Sequence, residues 1–296
     1  MTSSPENEYT PDDVSPPGET IQETLDALGM TQTQLATRSG HPKKVINQII
    51  KGKAAITPDT ALHLERVLGV PASFWNERER HYREFLAAKD EAERLSRHEQ
   101  WLRELPIAAM ARLGWIRRFR NRVQQIRELL NYFGIASPGQ WDDFVLTRGV
   151  QFRQSTQRTI DKAAVAVWLY AGELAARKMP TATYDEAAFR RAVTNIRALT
   201  LKPPGEFMGE LEQMCKDAGV AVVFVHEFPR TGISGATRWP TPGRALIQLS
   251  LRYKTSDQLW FTFFHEAGHI ILHGRREVFL EGLRDVAHSK KEKEKE

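Results

Sequence analysis

The stretch from Thr31 to Lys53 constrains this chain more than any other. It sets two short amphipathic patterns on either side of Gly40-His41-Pro42. Thr31 with Gln34 three residues on forms a capping box, which opens a helix by satisfying backbone N–H groups that no earlier turn can. Leu35 and Ala36 supply the inward face of that helix, and Gly40 ends it with a left-handed turn. Pro42 is expected at the first helical position of the next. Val45, Ile46 and Ile49 then form a buried stripe at helical spacing, with Lys43, Lys44, Asn47 and Gln48 around the other face. Two short helices joined by a tight glycine turn, the second carrying Lys, Asn and Gln, have the layout of a helix-turn-helix. Lys matches guanine edges and Asn or Gln matches adenine edges. A small helical bundle with a solvated polar face is the competing reading.

The chain has 296 residues, more than one domain's core, so two or three units are expected. A single cysteine, Cys215, excludes a disulfide framework and fits a reducing cytoplasm. The polar N-terminal stretch lacks a signal peptide's basic and apolar regions, and no apolar run is long enough for a membrane helix. The net charge of +5 permits a nucleic-acid partner without demonstrating one.

The texture of the chain changes once. Residues 1–16 read as a disordered tail, 17–72 as the helix-turn-helix domain and 73–200 as helices that link, dimerise or sense. A long charged helix is expected from Ser73 to Arg103, ended by Leu105-Pro106. Arg117, Arg118, Arg120 and Arg122 form a basic cluster, read as a solvated face paired with acids such as Glu128 in preference to a phosphate contact. After the hinge Lys202-Pro203-Pro204-Gly205, residues 201–296 carry strand signals. Val220–Val225 is a β-branched run. Gly235 to Trp239 and Ala245 to Arg252 are joined through Pro240-Thr241-Pro242-Gly243. The expected class is α+β, mostly α, with a small C-terminal sheet packed on one helix.

That helix, Leu259 to His273, contains His265-Glu266-Ala267-Gly268-His269. Residues four apart lie on one helix face about 6 Å apart along the axis, so His265 and His269 can meet one zinc ion. Glu266 beside them is the expected proton acceptor for a zinc-bound water. His273 lies a further turn away and is read as packing or outer support. A helix with two histidines and no metal is the competing reading.

Two resemblances sharpen these expectations. Pro17-Gly18-Glu19, Leu28 to Ala36, Ile46 to Lys53, Ile56-Thr57-Pro58, Leu68-Gly69 and Phe74-Trp75 together resemble the Xre-type helix-turn-helix, and within it the HigA-type antitoxin branch. The resemblance implies a homodimer on double-stranded operator DNA, with Pro42, Lys43, Lys44, Asn47 and Gln48 facing base edges. Gln32, Lys51 and Lys53 would touch phosphates. Ile233 to Trp239, Ala245 to Tyr253 and Trp260 to His269 are similar to the ImmA/IrrE zinc metallopeptidases. That implies zinc held by His265, His269 and a downstream acid, with Glu266 catalytic. Glu296 falls at the expected separation, with Glu294 and Glu292 as poorer candidates. The residues that follow the acid in that family are absent, so the chain is read as a fragment or its third ligand as supplied otherwise. The strand at Gly235 to Trp239 could accept a substrate peptide as an added strand, although an ordinary core strand is the favoured reading. The expected function is a cytoplasmic DNA-binding regulator with a zinc peptidase domain that cleaves a repressor, toxin or partner. The alternative is a non-catalytic, antitoxin-like autorepressor.

Overall fold

A computed structural model describes residues 14–147, 161–229, 231–250, 255–273 and, as backbone, 279–281. The chain divides into two compact units, residues 1–94 and 95–296.

The first unit holds α1 (Pro17–Ala27), α2 (Gln32–Ser39), α3 (Lys43–Ile50), α4 (Pro58–Leu68) and most of α5 (Ala72–Ser96). Pro17 and Pro58 open their helices where the missing N–H costs nothing. Thr57 caps α4 by accepting from the Thr60 N–H at 3.2 Å. Ile21, Leu25, Leu35, Ile46, Ile49, Leu64 and Trp75 close a single core. Gly18 permits the approach of α1 to α3: a Cβ there would sit 2.2 Å from the carbonyl oxygen of Ile50. Most of the tail expected at 1–16 lies outside the described residues, but Ser15 accepts a hydrogen bond from Arg78 of α5 at 3.0 Å. The long charged helix ends at Ser96, earlier than its pattern predicts. Trp101 and Leu105 are both 6% exposed, and burying them in the second unit's core turns the chain before Arg103.

The second unit begins with α6 (Trp101–Glu104), α7 (Ile107–Arg112), α8 (Arg122–Phe133), α9 (Trp141–Leu146) and α10 (Lys162–Arg177). It continues with α11 (Glu186–Ile196), α12 (Pro204–Asp217), β1 (Val220–Val225), β2 (Gly235–Thr241), β3 (Arg244–Ser250), α13 (Ser256–Leu272) and β4 (Phe279–Glu281). The strand order is β1-β3-β2-β4. β1 runs parallel to β3, and β2 is antiparallel to both β3 and β4. β1 is apolar at both parities because both its faces are covered. Ala221, Val223 and Val225 pack with residues of α8, α9 and α10. Val220 and Val222 pack with residues of α11, α12 and α13. The expectation of a small sheet packed on one helix is therefore corrected to a sheet between two helical layers. The helices read as a separate middle region share a core with β1, β2 and β3, and the 200/201 junction divides no compact units.

A buried polar latch joins α10 to the sheet. Gln248 Nε2 donates to the Trp168 carbonyl at 2.7 Å. Arg238 donates to Gln248 Oε1 at 3.0 Å and to the Leu169 carbonyl. Low dielectric strengthens such bonds once they are made. Trp168 and Tyr170, both on α10, are buried at 1% and 5% exposed. No helix among the described residues is long and apolar enough to cross a membrane.

Candidate functional site

The polar face of α3 is built by its neighbours. The capping box at α2 forms: Thr31 Oγ1 accepts from the Gln34 N–H at 3.2 Å, and Gln34 Oε1 accepts from the Thr31 N–H at 2.8 Å. Gly40, at φ +73°, ends α2. Pro42 is the residue before the first turn of α3, one position earlier than expected. Its extended φ and ψ keep it outside the helix, and its carbonyl accepts from the Val45 and Ile46 N–H groups. Ile46 and Ile49 are buried as expected, and Val45 is half-buried. Pro42, Lys43, Lys44, Lys51 and Lys53 are exposed; Gln32, Asn47 and Gln48 are half-buried.

A hydrogen-bond chain crosses this face. Asn47 Nδ2 donates to Gln32 Oε1 at 3.4 Å, and Gln32 Nε2 donates to Gln22 Oε1 at 2.8 Å. Gln22 Nε2 donates in turn to Asp26 Oδ1 at 2.8 Å. Gln32, expected at a phosphate, and Asn47, expected at a base, are thus held together. Gln22 went unnoticed in the sequence because its partner is on a different helix. No local pattern marks such a pair.

The second candidate is α13, which lies against β2 and β3. Its histidines converge, with the Nε2 atoms of His265 and His269 3.0 Å apart and the rings at 85°. His265 is exposed and His269 half-buried. Two nitrogens at that separation can both lie about 2.0–2.1 Å from one zinc ion, so this pair fits two ligand positions. Glu296, with Glu292 and Glu294, lies outside the described residues. Among the described residues no group of three His, Cys, Asp or Glu side chains is placed to hold a metal.

Glu266 sits elsewhere on the helix circumference and is 0% exposed. It lies under β2, where a Cβ on Gly235 would come 2.7 Å from Glu266 Oε1. Thr237 Oγ1 donates to the Glu266 carbonyl at 3.0 Å, fixing helix to strand. The His273 ring lies 5.3 Å from that of His269, at the extended C-cap of α13. Peptide addition beside β2 meets an obstacle: β4 pairs with it from Gly235 to Thr237, so that edge is covered there. In the basic cluster, Arg117 pairs with Glu128 and Arg122 with Glu99. Acids thus face two of the four arginines.

Comparison with known proteins bears on the first candidate. Residues 21–75 match the family model described as Helix-turn-helix. A 59-residue segment is 34% identical to the uncharacterized HTH-type transcriptional regulator YddM of Escherichia coli (strain K12). That segment is 20% of this chain and 63% of that protein, so the chain spans just under two thirds of the curated relative it matches. Among solved structures, an addiction module antidote protein of a HigA family from Coxiella burnetii is 30% identical. The likeness covers 28% of this chain and 92% of that one, with a TM-score of 0.27. Pseudomonas aeruginosa antitoxin HigA, solved with the higBA promoter, is 23% identical, with 28% and 90% covered and a TM-score of 0.27. Residues 21–75 of this chain form a helix-turn-helix domain.

Proposed function

We propose that the protein is a DNA-binding transcriptional regulator of the antitoxin type, acting in the cytoplasm as a homodimer on double-stranded operator DNA. One observation carries this reading: Lys43, Lys44, Asn47 and Gln48 share a solvent-reaching face of α3, with Gln32 joined to it through Asn47. The helix-turn-helix match and the name of the E. coli relative support it. Lys43 and Lys44 supply salt-dependent attraction to phosphates or guanine edges. Asn47 and Gln48 supply the amides that read adenine, and Lys51 and Lys53 reach the backbone. The test is binding of the full chain to DNA from its own upstream region, followed by fluorescence anisotropy across a salt series. Asn47→Ala should cost about 1–3 kcal/mol on the preferred site and little on unrelated DNA. Equal loss on both DNAs would mean that Asn47 does not read bases.

A second reading concerns α13, and the convergence of His265 and His269 favours it. In this reading the pair holds zinc with Glu296 as the third ligand, and residues 201–296 form a metallopeptidase domain acting on a regulatory protein or toxin. Bound zinc would supply a Lewis acid and an activated water. His265 and His269 would contribute neutral imidazole nitrogens, and the Glu266 carboxylate would accept a proton. The burial of Glu266 against Gly235 supports the alternative, in which α13 serves sensing or partner binding without catalysis. Zinc per chain, measured beside His265→Ala, tests the ligand pair. Glu266→Gln separates the two: loss of peptide cleavage with DNA binding intact supports catalysis, and no change in either supports the non-catalytic domain.

A further inference from the structure

The turn that starts α3 carries a histidine pair of its own. His41 lies between Gly40, which ends α2, and Pro42, which precedes α3. His63 lies on α4. Although 22 residues apart in sequence, His41 Nε2 and His63 Nδ1 are 3.2 Å from each other. Their ring centroids are 5.1 Å apart and the planes meet at 48°. Both residues are half-buried, so the gap between the nitrogens is fixed by packing yet reachable from solvent. The other nitrogen of His63, Nε2, faces the carboxylate of Asp59 one turn earlier at 3.9 Å.

We propose that His41 and His63 form a binding site for a divalent transition-metal ion that clamps the turn preceding α3 to α4. Two metal–nitrogen bonds of about 2.0–2.1 Å, with their nitrogens 3.2 Å apart, meet at roughly 100°, close to the tetrahedral angle zinc favours. Imidazole ligands select zinc, nickel or copper over magnesium and calcium. Asp59 stands beside the outer nitrogen of His63, with its Oδ1 3.9 Å from Nε2, so a side-chain rotation on α4 would bring it to where a carboxylate commonly backs a metal-bound histidine. Water would complete the coordination, since no third side chain among the described residues joins the pair. Without metal, the same separation is bridged by one shared proton, with one ring donating N–H and the other accepting. The ion replaces that proton and joins the two elements more firmly. Because α3 begins directly after the clamped turn, metal occupancy stiffens the presentation of its polar face. That consequence rests on the DNA-binding reading; the site itself does not.

The experiment uses the full chain carrying His265→Ala and His269→Ala, which silences the pair on α13, and titrates it with zinc chloride by isothermal calorimetry. We expect about one ion per chain, a higher melting temperature in zinc and no response to magnesium. Adding His63→Ala or His41→Asn should weaken zinc binding at least tenfold, and Asp59→Asn about tenfold. Circular dichroism melting without zinc identifies any variant that has unfolded, and the other histidine variant then decides. Zinc uptake unchanged in whichever histidine variant stays folded would overturn the proposal, as would no uptake by the starting chain. These readouts contain no DNA, so loss of the regulatory reading would leave them standing.

Discussion

Each unit of this protein presents two histidines whose ring nitrogens stand about 3 Å apart, 3.2 Å for His41 and His63 and 3.0 Å for His265 and His269. The pairs arise in different ways. His265 and His269 are one turn apart on α13, so helical periodicity alone brings them together. His41 and His63 come from a turn and a separate helix, and meet only because Leu35, Ile46 and Leu64 close a common core. The conspicuous pair is the one a motif advertises, yet it needs a distant third ligand. The inconspicuous pair has a carboxylate within reach one turn away, Asp59 Oδ1 at 3.9 Å from His63 Nε2. Local spacing can nominate a site, but completing one takes contacts between elements.

The contrast is tested most severely by cutting each core separately. Trp75 and Phe263 are both 0% exposed. Replacing either by Ala should cost about 3–5 kcal/mol. Trp75→Ala should abolish DNA binding and the His41–His63 site together. Phe263→Ala should lower the melting temperature of the second unit while DNA affinity stays within about threefold. Loss of DNA binding in Phe263→Ala would show that the two units do not act separately. A smaller effect is expected from Gly18→Ala, whose Cβ meets the Ile50 backbone. Forcing α1 from α3 should destabilise the first unit by about 1–3 kcal/mol, read by chemical denaturation. An unchanged midpoint would mean that the two helices separate at no cost. Smaller again, Thr31→Ala removes the α2 cap and should cost about 1 kcal/mol, affecting the first unit alone.

The mildest test is alkaline. Burial pushes the Cys215 thiol up to about 12, above its ordinary value of 9.0. The folded state therefore retains a proton that the unfolded chain gives up. This contribution to stability is complete below pH 9 and is lost progressively as pH rises towards 12. Thiol reagents at pH 8 should leave Cys215 unmodified until the second unit unfolds. Rapid labelling of folded protein would contradict its burial.

Much of the first unit was legible because its signals are short-range. The Thr31–Gln34 box, Gly40 and the Ile46/Ile49 stripe each depend on residues within about one or two turns. The same holds for β1, whose β-branched run set its limits at Val220 and Val225. Other features lay beyond that range. Nothing in Gln22 announces a hydrogen bond to Gln32, and nothing in residues 73–200 announces that α10 would cover the sheet through Trp168 and Gln248. The helix expected to reach Arg103 stopped at Ser96 because Trp101 found a core, a tertiary gain that overrode a sound helical pattern.

The sequence by itself therefore determined the local frame: where helices begin, which face of α3 is polar, and that His265 and His269 share one side of α13. Backbone hydrogen bonds and steric limits act over three or four residues, so a linear reading captures them. Tertiary structure alone decided the parallel pairing of β1 with β3, the burial of Glu266 beneath Gly235 and the meeting of His41 with His63. Each joins segments distant along the chain, and chain packing selects such contacts by the apolar surface that the whole arrangement buries.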